Sequence, residues 1–152
     1  IITGNGSDDV LAFALLTFCA PGDVLAYPDP TYSLYPVLAG INDVSVKPVP
    51  WEDNWRLPIE GLLASGAKAI FLANPNAPTG TLVEPGVIGD LASRFDGAVL
   101  VDEAYADFAE ANCLELVRRH ENVIVCRTLS KAYSLAGLRF GFAVAQPQVI
   151  AE

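Results

Sequence analysis

The sequence predicts a doubly wound α/β domain: a mostly parallel β-sheet with helices on both faces, three layers in all. Three observations predict it. Continuous apolar runs at residues 69–73, 98–101, 123–126 and 140–144 have the composition of strands buried on both faces. Segments with apolar residues at helical spacing alternate with strand-like runs, the order that builds βαβ units. Residues able to do chemistry collect just after these runs, at the carboxyl ends of strands, where open α/β sheets bind ligands. With 152 residues, 52% of them hydrophobic and 18% charged, the chain is one globular domain that can bury a substantial core.

Residues 1–3 read as a strand, and Gly4-Asn5-Gly6 permits a tight turn into a helix. Ser7 and Asp8 are its expected N-caps, with Val10, Leu11, Ala14, Leu15 and Phe18 on one face. A glycine turn feeding a helix start presents unpaired N–H groups and a positive dipole end, which suit a phosphate and equally suit an ordinary capped helix. Pro21-Gly22-Asp23 ends the helix, residues 24–27 make a short strand, and Pro28-Asp29-Pro30 breaks it. Thr31 is expected to cap a helix running to Gly40, which puts Tyr32 at a helix start, as a core tyrosine or as a ring that lies flat on a planar ligand.

Val44 and Val46 alternate with polar neighbours as a strand nearer the sheet's edge, and residues 51–55 read as a loop. A short helix begins at Leu57-Pro58, and the strand at 69–73 then runs into Asn74-Pro75-Asn76-Ala77-Pro78-Thr79-Gly80, a rigid polar loop. Residues 84–95 form a helix with Val87, Ile88 and Leu91 as its stripe, and Gly97 turns the chain into the strand at 98–101. Asp102 stands at that strand's end, as a cap or as the partner of a ring nitrogen, with Tyr105 one turn further on. Residues 114–118 form a helix back to the strand at 123–126, beyond which Thr128-Leu129-Ser130-Lys131 emerges. A solvated lysine, with a pKa near ~10.4, is a poor nucleophile; held in a partly buried pocket beside a second cation such as Arg139, it can lose its proton and attack carbonyls.

Ser130-Lys131 followed by Gly137-Leu138-Arg139-Phe140-Gly141 resembles the Schiff-base lysine segment of fold-type I pyridoxal-phosphate enzymes. Asp102-Glu103-Ala104-Tyr105, the loop from Asn74 to Gly80, and Pro30-Thr31-Tyr32 stand upstream in the order that family uses, and together they most resemble the histidinol-phosphate aminotransferases. The match covers nearly the whole chain. It implies pyridoxal 5'-phosphate as cofactor and transamination of histidinol phosphate with 2-oxoglutarate, in histidine biosynthesis, by a cytoplasmic homodimer. The partners it implies are a small-molecule amino donor and a 2-oxo acid acceptor.

The same resemblance implies Lys131 as covalent anchor and general base, Asp102 at the ring nitrogen, Tyr105 and Asn76 at the phenolic oxygen, and Tyr32 stacked on the ring. Around the phosphate it places the backbone N–H groups of Ser7 and Asp8, the hydroxyls of Thr128 and Ser130, and Arg139. Asn76 enters this set because Ala77 stands immediately before Pro-Thr-Gly, where many aminotransferases carry an asparagine. Residues 1–152 correspond to a single cofactor-binding large domain. Starting at Ile1, lacking methionine and opening on a glycine turn, the chain reads as a portion of a longer one whose small domain and N-terminal arm lie outside it. Aromatic aminotransferases and threonine-phosphate decarboxylases share the lysine, aspartate and arginine, and aminotransferase-like sensor domains of transcription regulators share the fold; these are the alternatives.

Eighteen acidic against nine basic residues give a formal charge of −9, which repels nucleic-acid backbones and anionic lipid surfaces. No apolar run approaches the roughly 20 residues that span a bilayer. Cys19, Cys113 and Cys126 are odd in number and scattered in apolar contexts, which argues against a disulfide framework. His120 is the single histidine and sits among Arg118, Arg119 and Glu121, so no metal-ligand set is expected.

Overall fold

A computed structural model of the chain describes residues 1–151. One sheet holds β1 (Ile2–Asn5), β2 (Val24–Asp29), β3 (Ser45–Pro50), β4 (Ala69–Ala73), β5 (Ala98–Asp102), β6 (Val123–Thr128) and β7 (Phe140–Val144), in the spatial order β1-β7-β6-β5-β4-β2-β3. The helices are α1 (Ser7–Phe18), α2 (Leu34–Ile41), α3 (Ile59–Leu63), α4 (Pro85–Arg94), α5 (Leu116–Arg119) and α6 (Pro147–Ala151).

The strands from β3 across to β6 are parallel, whereas β7 pairs antiparallel with both β6 and β1. Strand β1 therefore runs with β6, and β7 alone opposes the rest. Six carboxyl ends and the amino end of β7 meet at one edge of the sheet, and that edge carries the site.

Two apolar cores lie on opposite faces, as the doubly wound order requires. On one face α1 buries Val10, Leu11, Ala14 and Leu15, and α2 buries Tyr35 and Ala39, against Leu25, Phe71, Leu100 and Ile124 of the sheet. On the other, Leu62 of α3, Ile88 and Leu91 of α4, and Leu116 and Val117 of α5 cover Ile70, Leu72, Val99 and Val125. Successive residues of β4 and β5 alternate between the two cores and every residue of both strands is buried, which explains why their sequences are apolar up to Asp102 at the end of β5.

Several local expectations are corrected. Gly6, with φ +82°, occupies the N-cap position of α1, so Ser7 and Asp8 are its first two helical residues and not its caps. No side chain caps the helix; Asp9 Oδ2 accepts the Asn5 N–H at 3.0 Å, which fixes the turn that enters it. Thr31 does not cap α2, which starts after Ser33; its hydroxyl donates to Asn76 Oδ1 at 2.6 Å. Strand β2 continues through Pro28 to Asp29, because its register with β4 covers only Leu25 and Ala26 and the imide nitrogen faces no ladder partner on that side. In α4 Val87 is exposed, and Gly89 and Ala92 join Ile88 and Leu91 on the buried face. No crossover helix separates β6 from β7, which suits an antiparallel neighbour; a 3-10 turn at Ala136–Leu138 precedes the strand.

Candidate active site

A cleft at the carboxyl edge is lined by Ser7, Asp8, Tyr32, Asp102, Tyr105, Thr128, Ser130, Lys131 and Arg139, with Ala73, Pro75, Ala77, Ala104 and Ala136 filling between them. Nine of the ten residues singled out in the sequence thus meet in one place. Arg139 arrives by a different route from the others: it precedes the antiparallel β7, at the strand's amino end rather than a carboxyl end.

Asp102 forms the floor. It is buried, with Oδ2 accepting the Tyr35 hydroxyl at 3.2 Å and Oδ1 accepting the Ala104 N–H at 3.2 Å. Burial pushes its carboxyl up to about 6; the two hydrogen bonds pull it back, Asp8 adds a smaller upward push, and Lys131 a smaller downward one. A buried carboxylate held by neutral donors is an acceptor suited to a cationic N–H. Tyr32 lies at the cleft wall, its phenol shifted upward by partial burial and by the carboxylates of Asp8 and Asp102.

Lys131 Nζ lies 5.4 Å from the centroid of the Tyr105 ring. The lysine is not partly buried as the sequence led us to expect. Residues 131–140 are all exposed, including Tyr133, Leu135 and Leu138, because no element of this chain packs over them. At the far side, Ser7 and Asp8 open α1, where first-turn N–H groups have no intrahelical acceptor. Thr128 Oγ1 stands 2.9 Å from Ser130 Oγ and accepts the Ser130 N–H at 3.1 Å. Arg139 Nη2 donates to Asp8 Oδ2 at 3.1 Å and to Asn5 O at 3.3 Å, and it lies where a Cβ on Gly6 would be. Two hydroxyls, two helix-start amides and a guanidinium around one end of the cleft are a donor set for a phosphate, which would compete with the Asp8 carboxylate for Arg139.

Asn76 is the exception. Only 2% exposed, it does not line the cleft: its Nδ2 donates to Pro30 O at 3.1 Å and Thr79 Oγ1 at 2.9 Å, and its Oδ1 accepts from Thr31. These bonds use the amide to shape the loop, while Pro75 and Ala77 face the cleft. Asn74 does similar work, pairing both side-chain atoms with the backbone of Val83.

Two further features were not picked out from the sequence. Tyr35 supports Asp102 from beneath; its signal was a tyrosine three residues after Tyr32, on the buried stripe of a helix. Glu103, fully buried, pairs with Arg127 (Oε2 to Nη2 2.7 Å, to Nε 2.8 Å) and accepts the Cys113 N–H, clamping the ends of β5 and β6 to the loop that follows. Among the described residues no cluster of potential metal ligands occurs, the three cysteines are free and buried, and no helix is long and apolar enough to cross a membrane.

Comparison with known proteins places this geometry in a family. Residues 1–152 match the family described as aminotransferase class I and II. The chain is 48% identical, over its full length, to a histidinol-phosphate aminotransferase of Rhodopirellula baltica, and 49% identical over 99% of its length to one from Geotalea uraniireducens. It spans 42% and 43% of those two relatives. Among solved structures, the histidinol-phosphate aminotransferase of Sinorhizobium meliloti in complex with pyridoxal-5'-phosphate superposes with a TM-score of 0.89 at 28% identity, over 97% of this chain and 42% of that one. A histidinol-phosphate aminotransferase homologue from Erwinia carotovora atroseptica gives 0.87 at 33% identity, over 99% of this chain and 47% of that one. The chain belongs to the class I and II aminotransferases.

Proposed function

We propose that this chain is the cofactor-binding domain of a pyridoxal-phosphate-dependent aminotransferase that acts on histidinol phosphate with 2-oxoglutarate as amino acceptor. The observation that carries the reading is the cleft itself: a lysine amine, a buried carboxylate and a phosphate-type donor set brought together from four strand ends. The 42–49% identity to histidinol-phosphate aminotransferases supports the substrate.

Bound pyridoxal phosphate supplies an electrophilic carbonyl and an electron-withdrawing ring. Lys131 Nζ would anchor the cofactor through its carbonyl carbon and, when free, would serve as the base that takes and returns the proton at the substrate carbon. The Asp102 carboxylate holds a proton on the ring nitrogen, and the Tyr105 hydroxyl donates to the ring's phenolic oxygen. With Asn76 committed to its loop and Ala77 facing the cleft, Tyr105 is the donor this chain offers there. The Tyr32 ring covers one face. Ser7 and Asp8 N–H, Thr128 and Ser130 hydroxyls, and Arg139 hold the phosphate. A homodimer is part of the same reading, supported by the exposed apolar side chains of residues 131–140 beside the cleft; a cytoplasmic setting is supported by three free thiols.

The test is borohydride reduction of the cofactor-loaded full-length protein, followed by peptide mapping and by amino-transfer assays with histidinol phosphate, phenylalanine and threonine phosphate. We expect the pyridoxyl group on Lys131 and fastest transfer from histidinol phosphate. A label on Lys47 or Lys68 overturns the site, and a preference for phenylalanine overturns the substrate.

A further inference from the structure

Tyr35 is among the largest completely buried side chains of the described residues, yet it ends in a hydroxyl, and a buried hydroxyl needs a partner. The partner is Asp102 Oδ2 at 3.2 Å. The ring meanwhile meets Tyr32 edge-to-face at 5.7 Å and 87°, and Phe71 of β4 at 5.5 Å and 86°. The helix α2, the strand β4 and the end of β5 therefore converge on one phenol. Five side chains carry charge or a titratable proton towards Asp102: Asp8 of α1, Lys131 after β6, Cys126 of β6, and the phenols of Tyr32 and Tyr35. Of these, Tyr35 alone makes a side-chain hydrogen bond to it among the described residues.

We propose that Tyr35 is a positioning residue: its hydroxyl aims the Asp102 carboxylate and keeps it charged at the edge of the cofactor ring, while its own ring sets the plane of Tyr32 against the face. One buried phenol thereby couples the two contacts. The inference rests on Asp102 meeting the ring nitrogen, as in the function proposed above. A hydrogen bond donated to a carboxylate favours the ionised form and opposes the burial that disfavours it. Tyr35→Phe removes the donor and keeps the packing.

The experiment uses full-length protein with Tyr35→Phe and, separately, 3-fluorotyrosine placed at position 35, a stronger donor. Isotope-edited infrared titration of the cofactor-free protein reads the Asp102 carboxyl, with Asp102→Asn identifying its band, and the dissociation constant for pyridoxal phosphate is measured against pH. Tyr35→Phe is expected to raise the proton affinity of Asp102 about tenfold and to carry the acid limb of cofactor binding upward with it, leaving the alkaline plateau unchanged. Fluorotyrosine should move both the other way. Weakening that is uniform across pH and indifferent to fluorination, or an unmoved Asp102 midpoint, overturns the proposal. If Asp102→Asn itself leaves the acid limb in place, the ring-nitrogen contact fails, and the infrared midpoint still decides for or against the Tyr35 bond.

Discussion

Asp102 opposes folding whenever it is charged. Its carboxyl is raised to about 6, chiefly by burial, so the folded chain holds that proton more tightly than the unfolded one. The linked stability is present in full below the unfolded pKa and is lost as pH rises through about 6. A displacement of about two pH units corresponds to on the order of 3 kcal/mol. We expect urea unfolding of the cofactor-free protein to show, between about pH 4 and 7.5, a decline of that order beyond any seen in Asp102→Asn; equal slopes in the two proteins would contradict it. Bound cofactor should reverse the sign by giving the carboxylate a cation. At this scale, Asp102, Tyr105 and Lys131 were legible because each follows an apolar strand run and chain order alone carries it to the sheet edge. Asn76 was not, since which way an amide points depends on Pro30, Thr31 and Thr79, brought together only by the fold. Tyr35 was hidden for a related reason: helical periodicity puts a tyrosine on the core face but says nothing of what its hydroxyl meets.

Strands were easier to read than their directions or ends. An apolar run declares burial, and β4, β5 and β6 fall where it predicts, but the same run in β7 does not say that the strand is antiparallel. That orientation follows from the short connection after β6, which holds a 3-10 turn and no crossover helix. Helix caps were misread because serine and aspartate serve equally well one position inside a helix, and the left-handed conformation of Gly6 took the cap. The α1 start and β7 also touch without side chains between them. A Cβ on Gly141 would strike the backbone of Gly6 and Ser7. Gly141→Ala should therefore destabilise the protein by about 1–3 kcal/mol or more and weaken cofactor-phosphate binding, because the contact can be relieved only by moving the helix start. Calorimetry and cofactor titration check both, and an unchanged phosphate affinity would separate α1 from the anion site.

The fold as a whole was legible because two periodicities alternate along the chain and each has only one way to bury itself. The exposure of residues 131–140 was not, because an apolar side chain such as Leu135 or Leu138 reads as core until the fold shows that no element of this chain packs on it. The sheet divides the interior into two cores that share no side chain. Val10→Ala on the α1 face and Ile88→Val on the α4 face should cost about 1–3 and 0.5–1.5 kcal/mol and add within about 0.5 kcal/mol in the double variant, read by chemical denaturation. A larger deviation would mean that the sheet transmits repacking from face to face. The solitary opposing strand has a consequence in time. Among the described residues β1 pairs only with β7, so this strand has no neighbour in the sheet until residues 140–144 have been made and placed beside β6. The parallel block from β3 to β6 can assemble during synthesis, while the turn at Gly6 and the amides of Ser7 and Asp8 wait for the other end of the domain. On the function proposed above, the phosphate end of the cleft is thus the last part of it to be built, and a nascent chain would not hold the cofactor there before β7 is in place.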